Sequence, residues 1–270
     1  MHRAILLIVI LFLCLQASAQ KTRESFNIED FNEKFEIVQW LYEYDAIAWW
    51  TTDSVMTQDQ NELEKLGQEW FCFKDSTGIW HAVYGKLNDN QYNLVFHYIV
   101  DKDQKVKKTT DDINQEFLNS FAQALKQANN QLDPLKDTIN IRFNQYIRQN
   151  HDKTFEIWIL PAFQTNGVAV YGGEFYFKID PSGQNIISKD QYVQKAFRGF
   201  KIDPPREIWL NYSELKDPTL GSIFFAWYYK EYFTSIKIDN QNYFSTPFKS
   251  DNGYTWLHVE KNQAKGKKKK

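Results

Sequence analysis

The sequence predicts an α+β fold, with antiparallel β-meanders and helices packed on one face, arranged as two similar halves. Three observations lead there. Rings make up 17% of the chain, with nine Trp, fifteen Tyr and twenty-one Phe, and such residues suit the pleated, half-buried surface of a strand. Apolar residues alternate between turn residues over much of 69–101 and again from 155 onward. Other stretches carry the three-and-four spacing of a helix face.

The first twenty residues come before any of this. Met1, His2 and Arg3 form a basic start, Ala4 to Leu15 are almost wholly apolar, and Ala17-Ser18-Ala19 offers the small-x-small site a signal peptidase cuts. Residues 1–19 are therefore expected to be a signal peptide. The apolar run is shorter than the roughly 18 residues a membrane span needs, so no transmembrane segment is expected once the leader is removed. The predicted location is periplasmic or extracellular.

From Asn27, the residues Phe31, Phe35, Val38, Tyr42, Asp45 and Trp49 mark one face of a first helix. Thr57 with Gln60 predicts a capping box for a short second helix that stops at Gly67. Strands follow at Trp70 to Lys74, Ile79 to Leu87 and Gln91 to Val100, separated by Asp75-Ser76-Thr77-Gly78 and Asn88-Asp89-Asn90. Thr109 and Thr110 then offer caps for a third helix with the stripe Ile113, Phe117, Phe121, Leu125 and Ala128. Residues 129–134 are polar and end in Pro134, which places the boundary between an N-terminal half, 20–134, and a β-rich C-terminal half, 135–264.

In the second half, Ile139, Ile141 and Phe143 alternate like a strand, but Ile139, Phe143 and Ile147 also fit a helix, and the helix is preferred because Arg142, Gln145 and Gln149 then stay on its other face. Strands are expected at Phe155 to Phe163 and Val168 to Ile179, joined through Asn166-Gly167. Asp180-Pro181-Ser182-Gly183 makes the next turn. Further strands are expected at Ile208 to Tyr212, Ser222 to Tyr229, Thr234 to Ile238, Asn242 to Ser245 and Tyr254 to Val259. Ala82-Val83-Tyr84-Gly85 in the first half is matched by Ala169-Val170-Tyr171-Gly172 in the second, the one hint of duplication.

Charge and cysteine narrow the function classes. Without Arg3 and the five lysines of the 265–270 tail, 26 basic side chains face 34 acidic ones, a net charge of −8. The Lys-rich tail is read as a disordered, solvated end, and with no arginine or ring beside it, it predicts no specific nucleic-acid binding. Past the leader only Cys72 remains, so no internal disulfide staples the fold.

The most specific chemical inference comes from hairpin register. A three-residue loop at 88–90 pairs Leu87 with Gln91 and sets His81 opposite His97, with Cβ atoms within about 5.5 Å, close enough to share a metal ion. A four-residue loop at 75–78 would add Cys72 beside His81; the commoner turn bulged at Gly78 puts Phe73 there instead. Asp45 interrupts an apolar helix stripe, so burial along the whole helix would raise its pKa toward that of a general acid or base. Glu174 follows Gly172-Gly173 inside a strand, where a bulge would aim a carboxylate into a cleft. Trp49, Trp50, Trp227 and Tyr229 are candidate ligand-binding rings.

No nucleophile elbow, phosphate loop or dinucleotide fingerprint occurs, so no cofactor is specified. The leading expectation is an exported, non-catalytic binding or interaction protein, with a glycan or a protein as partner. The alternative is a metal-dependent or general acid/base hydrolase centred on His81 and His97, with Asp45 or Glu174 in support.

Overall fold

The computed structural model describes residues 25–136 and 138–261; the leader 1–19 and the tail 265–270 lie outside the described residues. The chain is α+β. The stripe that begins at Asn27 forms a single helix, α1 (Ile28–Met56), capped by the Asn27 side chain, which accepts from the Asp30 N–H. A one-turn helix, α2 (Gln60–Leu63), follows; its cap is Asp59, while Thr57 closes α1.

Next comes an antiparallel meander, β1 (Trp70–Lys74), β2 (Trp80–Asn88), β3 (Gln91–Val100) and the short β4 (Val106–Lys108). Together they make sheet 1, in that order. Helix α3 (Gln115–Asn130) starts at Asn114, whose side chain accepts from the Phe117 N–H, rather than at Thr109 or Thr110. Pro134 lies in a one-turn helix, α4 (Asp133–Lys136).

A second antiparallel meander, β5 (Phe143–Gln149), β6 (Phe155–Pro161), β7 (Val168–Ile179) and β8 (Ile186–Lys201), makes sheet 2. The helix expected across 139–147 is therefore a strand. A short run with apolar residues at both spacings has no period of its own, and β5 pairs with β6 along its whole length, from Phe143 with Pro161 to Gln149 with Phe155.

Sheet 3 has the order β12-β11-β10-β9. Its members are β9 (Glu207–Asn211), β10 (Ser235–Asp239), β11 (Tyr243–Ser250) and β12 (Gly253–Glu260). Here β9 and β10 run parallel, Ile236 beside Ile208. Parallel neighbours need a long crossover, and the strand expected at 222–229 is instead that crossover, α5 (Leu220–Tyr228), with the Thr219 hydroxyl accepting from the Ser222 N–H.

Sheets 1 and 2 abut at β1 and β5, where the Gln145 amide donates to the carbonyls of Gln68 and Trp70. The joined surface is apolar on both sides. One side carries Phe71, Val83, Tyr92, Ile157, Phe175 and Phe177 against α3. The other carries Cys72, Ala82, Tyr84, Tyr146 and Trp158 against α1 and α5, in a core that also takes in Ile236 and Ile238 of sheet 3. Trp256 and His258 of β12 close over Phe31 near the start of α1. Residues from both sides of Pro134 thus fill both cores.

The two Ala-Val-Tyr-Gly segments share a local device. Register slips after Tyr84 in β2 and after Tyr171 in β7, and both tyrosines are buried beneath the same helical layer. Their strands differ in place, second in sheet 1 and third in sheet 2.

Candidate functional site

Alternation gives β6, β7 and β8 two unlike faces. Ile157, Ile159, Phe175 and Phe177 point to α3, while Glu156, Trp158, Glu174, Tyr176, Asp190 and Tyr192 point the other way. Register places Tyr176 between Trp158 and Asp190, and Glu174 opposite Tyr192. Over this second face lies a cleft of about 550 Å³, walled by Lys34 and Ile37 of α1 and by the 215–220 loop that leads into α5.

The cleft's framework is cross-braced. Arg148 donates to Glu156 from Nε (3.2 Å) and a terminal nitrogen (2.7 Å) while its guanidinium lies over Trp40 and Trp158, and the Tyr176 hydroxyl donates to the same carboxylate at 2.9 Å. Lys34 ties α1 to the loop, donating to Asp30 (2.7 Å) and to the Pro218 carbonyl (3.0 Å). Tyr192 donates to Glu214.

The bulge expected at the double glycine is present. Gly172 has φ 109°, a conformation L side chains rarely adopt, and a Cβ on Gly173 would stand 2.4 Å from the Phe197 ring. Just beyond it, Glu174 reaches the N-terminus of α5 and accepts the Gly221 N–H. Burial pushes its pKa up; Thr219, the Gly221 N–H and Lys34 pull it down, and the charge of Asp190 raises it. Its other oxygen, Oε1, is sealed from solvent without a hydrogen-bond partner.

Asp45 sits in mid-helix, 8% exposed, and does not border this cleft. It accepts from Asn144 (2.9 Å), Tyr146 (2.9 Å) and Tyr228 (2.8 Å). Burial raises its pKa against those three hydrogen bonds. The carboxylate joins α1, β5 and α5.

The 88–90 hairpin differs from expectation. Asn88 pairs with Gln91 across a two-residue loop, Asp89 takes φ 52°, and an irregularity beyond Gly85 leaves Val95 unpaired, so His97 faces Val83 and His81 faces Ile99. The rings still meet diagonally on one face, with His81 Nδ1 2.8 Å from His97 Nε2. His97 Nδ1 contacts the Asp111 carbonyl, and burial followed by the His81 charge lowers its pKa. Cys72 is not with them. The turn is bulged at Gly78, Phe73 pairs with and stacks on His81, and Cys72 points to the opposite face, beneath α1. There burial pushes its thiol pKa up. The expected three-ligand site therefore does not assemble, and among the described residues no group of three His, Cys, Asp or Glu side chains is placed to hold a metal.

The four candidate rings are scattered. Trp49 is 63% exposed on α1, Tyr229 is buried, and Trp227 stacks on Trp256 and shares the Lys230 ammonium with Tyr42 and Tyr254. Trp50 borders a separate groove with Glu43 and Trp80. Sequence reasoning found Glu174 but missed Trp158, Tyr176, Asp190 and Tyr192. Their signal is a contrast of faces: acids and rings on one side of β6, β7 and β8, against aliphatics and Phe on the other side of β6 and β7.

No helix among the described residues is long and apolar enough to cross a membrane. No protein-family model, curated protein or solved structure matches this chain.

Proposed function

We propose that this is an exported, non-catalytic binding protein whose ligand occupies the cleft over sheet 2. Export rests on the leader-like residues 1–19. The observation that carries the binding reading is the cleft itself, large enough for a small ligand, floored by rings and held by the Arg148–Glu156–Tyr176 and Lys34–Pro218 braces. Concave, mostly apolar sites with a few convergent polar groups are where ligands bind. A prebuilt floor also spares the ordering cost of binding. The ligand is a small molecule or a side chain presented by a partner.

A hydrolase centred on His81 and His97 has less support. The two rings spend facing nitrogens on each other, His97 is 3% exposed, and neither borders the cleft.

Thermal unfolding of the protein against a panel of small ligands tests the reading. A ligand at a hundred times its dissociation constant stabilises the native state by about 2.7 kcal/mol. Such a shift, abolished by Tyr192→Ala and retained in His81→Ala, is the expected result. A shift that survives Tyr192→Ala but is lost in His81→Ala would place the site at the histidines and overturn the proposal.

A further inference from the structure

We infer that the ligand of this cleft is an organic cation, an ammonium group carried on a hydrocarbon stem. The inference rests on the binding reading above and names its ligand class.

The charge of the cleft points to it. Four carboxylates border the space, Glu156, Glu174, Asp190 and Asp217, against the two lysines Lys34 and Lys216. Glu156 is answered by Arg148, and Lys34 is engaged by Asp30 and a backbone carbonyl. Glu174 and Asp190 form no ion pair among the described residues. They stand diagonally across β7 and β8 on one face, a spacing of about 7–8 Å between Cα atoms and somewhat less between Cβ atoms. A cation seated between them would meet both and relieve the repulsion that each exerts on the other.

Hydrogen-bond capacity points the same way. An ionised carboxylate only accepts, and Glu174 Oε1 is shut away from water with nothing donating to it. An unanswered buried acceptor costs free energy, which the charge of an ammonium group seated over Glu174 would offset. A ligand anion would face the same carboxylates and is excluded.

The walls select the rest of the ligand. Tyr176 and Tyr192 commit their hydroxyls to Glu156 and Glu214, which leaves their rings as the surface offered, and Ile37, Leu160 and Leu220 complete an apolar lining. Ring faces attract ammonium groups, and aliphatic walls suit a methylene stem. A neutral sugar could hydrogen-bond some of the cleft's polar groups but would leave the repulsion between Glu174 and Asp190 unrelieved. Burial also raises the pKa of Glu174, so acid neutralises the group that the cation needs.

Isothermal titration of the full chain with spermidine, with an end-blocked lysine tripeptide and with maltotriose tests this. The expected result at pH 7.5 is binding of spermidine or of the tripeptide, the stronger one telling a free amine from a protein side chain. Affinity should fall at least tenfold in Glu174→Gln and in Asp190→Asn, and should weaken in wild type at pH 5. Asp190 is exposed, so its variant keeps the test decisive should Glu174→Gln fail to fold. Amine binding unchanged in both variants would overturn the inference. Binding of maltotriose alone, lost in Tyr192→Ala, would overturn the cation and leave the cleft reading standing. No heat with any of the three would overturn the cation, and the failure of the wider ligand panel would then remove the binding reading as well.

Discussion

Removing the Asp45 carboxylate should loosen the joint on which the cleft is hung. Three donors converge on it from two other elements: Asn144 and Tyr146 of β5 and Tyr228 of α5. Asp45→Ala strands them, although Asn144 and Tyr146 stay within 3.4 Å of one another and can partly make do. A stranded buried donor costs about 1–3 kcal/mol, and the alanine recovers part of the desolvation cost of a buried anion. The net loss should be about 3 kcal/mol. Tyr228→Phe removes one hydrogen bond to a charged acceptor and should cost about 1.5 kcal/mol. Asp45→Asn keeps Oδ1 for Asn144 and Tyr146 and turns its amide toward the Tyr228 oxygen, so it should cost under about 1 kcal/mol. Its pH dependence differs too. Because burial raises the Asp45 pKa, the folded state holds that proton where the unfolded chain has lost it, so the stabilisation is full below about pH 3.9 and is lost as pH rises through the folded value. The asparagine variant should therefore gain on wild type as pH rises across that window. Urea unfolding followed by Trp fluorescence measures all of these through the midpoint at constant slope. In the Asp45→Ala/Tyr228→Phe cycle, the tyrosine change should become nearly free once the carboxylate is gone. If Tyr228→Phe costs the same in both backgrounds, within about 0.5 kcal/mol, the network does not carry the stability assigned to it.

Other consequences follow from single positions. His258 donates to or accepts from Ser245, stacks on Phe26, and has its pKa pushed down to about 4 by burial. The unfolded chain therefore takes up this proton first as pH falls below about 6.5, so wild type should lose about 2 kcal/mol relative to His258→Asn between pH 7 and 4, allowing for partial screening. Equal pH slopes for the two proteins would count against it. The Cys72 thiol, wholly buried beneath α1, should resist alkylation in the native protein and react at the rate of unfolding; fast native labelling detected by mass spectrometry would contradict the placement. Gly85 lies where a Cβ would stand 2.2 Å from the Asn93 carbonyl oxygen, so Gly85→Ala should destabilise by about 2 kcal/mol or more, and a neutral result in urea unfolding would mean that β2 and β3 part there at little cost.

What could be read without a structure depended on whether a segment carried its own period. Residues 31–49 carry one, which is why α1 is visible along most of its length and why Asp45 stands out as a carboxylate on an apolar stripe. What it did not convey was the company Asp45 keeps, since Asn144, Tyr146 and Tyr228 arrive from about a hundred residues or more away. The segments 139–147 and 222–229 carry no decisive period, and each is settled by its context: β6 pairs the first into a strand, and the second forms the helical crossover between the parallel strands β9 and β10.

The histidine pair shows why a wrong register can still bring the right residues together. The loop at 88–90 is shorter than expected, and the residue left out at Val95 is invisible to alternation. The two departures move His97 by two places along the strand, and an even shift keeps a side chain on its face. The rings meet diagonally instead of squarely, whereas Cys72 is lost to the site because its neighbour Phe73 takes the place beside His81, and adjacent residues face opposite ways. The cleft follows the same logic. Glu174 stands out in the sequence because Gly172-Gly173 marks a backbone irregularity. Trp158, Tyr176, Asp190 and Tyr192 sit on regular strands and become a site only when α1 and the 215–220 loop close over them, so comparing the two faces of consecutive strands is the reading that would have reached them.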